Sequence, residues 1–139
     1  MDPMRQYVDE QVRTRLGRLV FEVHRCAKSR EVEAVHDLRV AIRRFNQSLR
    51  TFLSLLPRRE AVRVRKRTRR LMRQSAEIRN RDIALQFLAR GGFPQRSTLR
   101  SRLERERRQA ETLLAEMLQR FTKKDYSARW RAALELNHS

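Results

Sequence analysis

Apolar positions recur along the chain in the three-and-four spacing of a helix, not in the alternation of a strand. Over about residues 4–28 they are Val8, Val12, Leu16, Leu19, Val23 and Cys26, one stripe of an amphipathic helix. A second line runs through Val35, Leu38, Ile42, Phe45, Leu49, Phe52 and Leu56 in heptad spacing, and Pro57 stops it. Ser29 is its expected N-cap, with Glu31 and Glu33 in a first turn where the helix dipole favours acids. The third segment, about 59–90, repeats Val64, Leu71, Ile78 and Leu85 every seven residues, with Thr68, Ser75 and Asp82 between them. That seam is half polar and predicts shallower burial than the second line. Gly91 and Gly92 end it, and Pro94 prevents its resumption. A fourth segment, about 97–122, places Leu99, Leu103, Ala110, Leu113 and Met117 on one face. A fifth starts at Ser127 and holds Trp130, Ala133 and Leu134. Short connections pack successive helices antiparallel. The expected fold is all-α: an antiparallel up-and-down four-helix bundle with a short C-terminal helix, one domain over residues 1–139.

Composition narrows this picture by exclusion. Three Gly and three Pro in 139 residues are too few for turn-rich β architectures or for linker-type disorder. The single cysteine, Cys26, excludes a disulfide framework and fits a reducing compartment. Its place on the first apolar line predicts a core thiol. No apolar run approaches the roughly 18 residues of a membrane span. The expected location is cytoplasmic, with no membrane partner.

Charge changes the picture more. Against 16 acids stand 34 Lys and Arg, a formal net charge of +18, and 30 of those cations are Arg. Arg offers a planar fork of donors that fits phosphate oxygens two at a time. So large an excess repels itself in a compact fold, and a polyanion would relieve it.

On the second helix His36, Arg39, Arg43, Asn46, Gln47 and Arg50 form a stripe about 120° from the centre of the apolar line. A stripe at that angle borders the core, as the lining of a groove between helices does. From His36 to Arg50 it runs about 21 Å, long enough for a linear polyanion. On the third helix Lys66, Arg69 and Arg73 share a face, and Arg79 lies between that face and the apolar seam. If the two helices are neighbours, two basic lines bound one channel.

Two stretches then resemble a known family. His36–Asp37–Leu38–Arg39–Val40–Ala41–Ile42–Arg43–Arg44 is similar to the first motif of the CHAD domain, a histidine-containing α-helical domain. Ile78–Arg79–Asn80–Arg81–Asp82–Ile83–Ala84 resembles its second, an Arg-Asp-x-Asp run. The resemblance is clearest over residues 30–90. It implies a helical domain that binds inorganic polyphosphate in a basic groove, without catalysis of its own and without a cofactor. In this chain the groove residues would be His36, Arg39, Arg43, Arg50, Lys66, Arg69, Arg73 and Arg79. It also makes association with polyphosphate granules an expectation. The chain departs from the pattern at Asn46, where a further basic residue is usual, and at Asn80, where Asp is common. CHAD domains are usually about twice this long, built of two similar halves. This chain resembles the half carrying His36, so either a homodimer supplies the second or the chain binds with half a groove.

Two other readings compete. RNA or DNA binding fits the charge, but aromatics are 6% of the chain, and Phe45 and Phe52 sit on the core line instead of forming base-stacking platforms. A phosphorelay role for His36 would need small neighbours, and Arg39, Val40, Arg43 and Arg44 crowd it. His24, His36 and His138 are too scattered for a metal set, and no Gly-rich phosphate loop occurs. If the charge of His36 is used, binding should strengthen below about pH 6.5, the ordinary imidazole value.

Overall fold

Five α-helices account for nearly all of the computed structural model, which describes residues 2–92 and 97–136. They are α1 (Pro3–Lys28), α2 (Val32–Thr51), α3 (Arg58–Arg90), α4 (Thr98–Lys123) and α5 (Tyr126–Ala133), with a 3-10 turn at Leu53–Leu55. The described residues contain no strand. Pro94 and His138 lie outside them.

Local chemistry sets the boundaries. Asp2 accepts a hydrogen bond from the Met4 amide at 3.2 Å, and Pro3 occupies the first turn, where its missing N–H costs nothing. Ser29 was expected to cap α2, but it is the extended residue that closes α1. Arg30 Nη1 donates to the Cys26 and Ala27 carbonyls at 3.1 and 2.7 Å and so completes the end of α1. The N-cap place of α2 falls to Glu31, which makes no side-chain capping bond. At its other end α2 stops at Thr51, short of the Leu56 that its apolar line reaches. Pro57 disfavours helical backbone at Leu56, which is extended at φ −117° and ψ 158°. Leu56 is nonetheless buried, and Phe52 and Leu53 pack against the core through the 3-10 turn.

The four long helices pack in sequence, α1 on α2, α2 on α3, α3 on α4, and α4 back on α1. One apolar core joins them. Leu16, Leu38, Ile42, Phe45, Leu49, Leu71, Ile78, Leu114 and Leu118 are all shut off from solvent. At one end α5 adds Trp130, whose ring stacks on Phe45 at 6.0 Å and meets Phe121 edge-on at 5.6 Å. Arg5 secures the same end by donating to the carbonyls of Leu55, Leu134 and Glu135.

Two expected faces are corrected. The half-polar seam of α3 is fully buried from Val64 through Thr68, Leu71, Ser75 and Ile78 to Asp82. Each polar residue on it finds a partner. Thr68 Oγ1 donates to Asn46 Oδ1 at 2.6 Å, Ser75 Oγ accepts from Arg39, and Asp82 accepts from Arg107. On α4 the buried positions are Ala110, Leu114 and Leu118, whereas Leu99 and Leu113 are about half exposed, at 47% and 53%. The inward line of α4 passes through Arg107, which reaches Asp82. A search for apolar spacing skips that position and lands one residue off.

Candidate functional site

Between Leu38 and Ala76 the chain has 13 Lys and Arg and one acid, Glu60, which sits beside Arg63. The second half of α2 and the first half of α3 therefore meet as two cationic surfaces. What holds them together is apolar packing, the Thr68–Asn46 bond and one arginine.

That arginine is Arg39. Its guanidinium is half-buried between the helices, and Nη1 donates to the Met72 carbonyl at 2.8 Å and to Ser75 Oγ at 2.9 Å. Burial lowers its pKa, and the nearby positive charges of Arg43 and Arg79 lower it further. Arg65 is in the same situation further along the seam. Burial lowers its pKa first, then the charges of Arg69 and Arg50. Arg65 Nε is buried with no hydrogen-bond partner among the described residues. Both side chains stay protonated at physiological pH, since a guanidinium does not give up its proton in proteins.

The structure thus brings six arginines to one seam in two groups: Arg39, Arg43 and Arg79, then Arg65, Arg69 and Arg50. None of the six pairs with a carboxylate among the described residues. Arg43, Arg50 and Arg69 are exposed, so their forks are available to a ligand. Arg39 to Arg50 spans about 17 Å along α2, and Arg65 to Arg79 about 21 Å along α3, at about 1.5 Å per residue.

The other expected groove residues are placed elsewhere. Lys66 is exposed in a shallow depression with Arg58, Arg59, Val62 and Arg63. Arg73 is exposed and on the same outer side of α3 as Lys66, about 20° from it at 100° per residue. His36 is exposed and lines a depression of about 300 Å³ between α1 and α2, with Arg15, Arg18, Val40 and Arg44. That depression also holds two carboxylates. Glu22 is buried and meets Arg18 at 3.0 Å, and Asp37 accepts from Arg25 at 2.5 Å. Its charge is partly cancelled from within, unlike that of the seam.

Arg65 was missed from the sequence. It stands three residues before Thr68 and four before Arg69, on the edge of the polar seam. The face of Lys66, Arg69 and Arg73 is centred about 70° further toward solvent. Taking Thr68 and Ser75 as buried would have pointed to Arg65 instead.

Cys26 is buried, and desolvation pushes its thiol up to about 11, which keeps it in the unreactive protonated form. Among the described residues no three His, Cys, Asp or Glu side chains gather as a metal set, and no helix is long and apolar enough to cross a membrane.

No curated protein and no solved structure matches the chain. A family model does, and its reach extends well past the two motifs to take in most of α1 and all of α4 and α5. With residues 10–139 matched by the CHAD domain model, the chain belongs to the CHAD domain family.

Proposed function

We propose that this protein is a non-catalytic binding module for inorganic polyphosphate, which lies along the seam between α2 and α3. The observation that carries the reading is the state of Arg39 and Arg65, two half-buried cations whose charged neighbours are all cations. Folding the chain this way concentrates positive charge at a cost that a linear polyanion would relieve. Polyphosphate offers oxygens on every side of a thin strand, so forks from both helices can reach it at once. The seam offers no ring for a base to stack on: Phe45 is fully buried and Phe52 packs against the core.

Cross-helix contacts also support antiparallel packing of α2 with α3 and of α3 with α4, as an up-and-down bundle requires. Arg39 meets Ser75 while Asn46 meets Thr68, and Arg107 meets Asp82 while Gln74 donates to Ala110. Since the strand keeps free oxygens on the side away from the seam, a second copy can bind there, and polyphosphate then bridges a homodimer.

Competition decides between polyphosphate and nucleic acid. Long-chain polyphosphate, single-stranded RNA and duplex DNA are compared at equal phosphate concentration and physiological salt. Polyphosphate should displace RNA, and the double variant Arg43→Glu/Arg69→Glu should lose at least 100-fold in affinity while its helicity is unchanged. Arg39 is left intact in that variant because it also braces the two helices. RNA competing phosphate for phosphate would transfer the reading to nucleic-acid binding. Equal losses in a control variant, Arg102→Glu/Arg105→Glu on α4, would mean diffuse charge in place of a seam.

A further inference from the structure

We propose that a second site, on the face formed by α3, α4 and α5, takes a nucleoside polyphosphate, a small ligand that joins a phosphate chain to a flat ring. The site is a cavity of about 310 Å³ lined by Arg67, Arg70, Met117, Arg120, Phe121, Lys124 and Tyr126. It shares no residue with the α2–α3 seam and stands independently of the reading given to that seam.

Helical spacing assembles it. Arg67 and Arg70 are one turn apart on α3. Arg120, Phe121 and Lys124 lie three, four and seven residues after Met117 at the end of α4 and its C-cap, so they project to one side. Tyr126 then enters from the first turn of α5. Four cations converge, no acid lines the cavity, and none of the four pairs with a carboxylate among the described residues. That is a demand for phosphate oxygens.

The second half of the ligand follows from the apolar part of the lining. Arg67 Nη1 donates to the Tyr126 hydroxyl at 2.9 Å, and its guanidinium carbon lies 5.2 Å from the Tyr126 ring centre. The Tyr126 ring is in turn 4.4 Å from that of Phe121. Arg67 is thereby fixed by a hydrogen bond and a ring, and a guanidinium so held offers a flat surface on which a base stacks. Met117 and Phe121 are half-buried beside it and supply adaptable apolar contact. Bare polyphosphate would satisfy the cations and leave that surface wet. A nucleoside polyphosphate uses both, with its phosphates toward Arg70, Arg120 and Lys124. The volume falls at the lower end of the range of small-molecule pockets.

Trp130 makes the site observable. It is the chain's one tryptophan, and its ring lies 5.8 Å from Tyr126 and 5.6 Å from Phe121. Titration of the intact protein with adenosine triphosphate, followed by Trp130 emission and by calorimetry, should show one site per chain. Inorganic triphosphate should bind there at least tenfold more weakly. The variant Arg70→Gln/Arg120→Gln should weaken adenosine triphosphate by tenfold or more and leave long-chain polyphosphate affinity within twofold. Because both residues are exposed, the variant should keep its melting temperature. Triphosphate binding as tightly as adenosine triphosphate would overturn the proposal, as would undiminished nucleotide binding by the variant. Loss of polyphosphate binding in the seam variant Arg43→Glu/Arg69→Glu, with nucleotide binding retained, would show the two sites to be separate.

Discussion

Two arginines reach inward from neighbouring helices, and their surroundings make them opposites. Arg107 on α4 points into the α3–α4 interface, with its side chain 17% exposed, and Asp82 accepts from its Nε at 2.5 Å. Glu111 is 2.8 Å from the same guanidinium. Burial works against the charge, but the hydrogen bond and charge of Asp82 and then Glu111 outweigh it, and the Arg107 pKa is raised. Arg39 on α2 points into the α2–α3 interface and finds only a carbonyl and a hydroxyl there. Burial and the charges of Arg43 and Arg79 lower its pKa. One arginine has its counterion built into the fold, and the other has neutral acceptors and like charges for neighbours. The difference separates an arginine paired within the fold from one left without a carboxylate, and it comes from the acids, not from the arginines. The α3–α4 interface has Asp82, Glu77, Glu106 and Glu111. The α2–α3 seam has none.

The comparison breaks first at Asp82. Asp82→Asn leaves Arg107 with one carboxylate, Glu111, and the Arg30 carbonyl, and should lower unfolding free energy by about 2–3 kcal/mol, below the range for losing a fully buried partner because Arg107 is partly solvated. Arg39→Met should cost less than about 1 kcal/mol, since two hydrogen bonds are lost but cation repulsion is relieved. Urea denaturation of both variants checks the contrast. Equal losses would mean that Arg39 is as structural as Arg107.

Ligand linkage gives the next effect. Polyphosphate at about 100 times its dissociation constant should stabilise the protein by about 2.7 kcal/mol, and the stabilisation should shrink as salt rises. Thermal melts with and without polyphosphate measure it, and the variant Asp82→Asn should show the same increment. A smaller increment there would tie the ligand to the α3–α4 interface.

Within the seam, Arg65→Gln should weaken polyphosphate about tenfold, near 1.4 kcal/mol, because its charge stands beside those of Arg69 and Arg50 with no carboxylate partner. The smallest effect belongs to Lys66→Gln, less than twofold, since Lys66 sits on the outer side of α3 with Arg58, Arg59 and Arg63. Affinity measurements on the two neighbours sharpen the assignment. A larger loss at Lys66 would place the ligand on the outer face.

The helices were legible because Leu, Val and Ile repeat where the core requires them, and α2 was legible almost to its end. The first half of α4 was not. There the inward position is Arg107, and whether an arginine faces in depends on an acid 25 residues away on another helix. Thr68 and Ser75 misled for the same reason, because their partners, Asn46 and Arg39, belong to α2. Arg39, Arg43 and Arg50 were readable from their angle to the core line, and with Arg69 and Arg79 they lie along the α2–α3 seam. Arg65 became readable only once its seam proved buried, and the depression of His36 only once Arg15 and Arg18 of α1 were beside it. The ring-and-cation cavity at Tyr126 joins stretches some 50 residues apart and leaves no local signature.

Arg5 has a consequence for the order of folding. Its side chain touches residues 55, 134 and 135, so three distant stations of the chain meet at one point. The α1–α2 and α3–α4 pairs are joined by short connections and can form as local hairpins. The Arg5 contacts instead close loops of about 50 and 130 residues, whose entropic cost exceeds that of any neighbouring pair. They should form last and open first, with α5 and the start of α1 released together. Native-state hydrogen exchange would register this as one shared opening event for residues 4–8 and 130–136, at lower free energy than the amides around Ile42 and Leu71. Separate openings for the two chain ends would mean that Arg5 does not couple them.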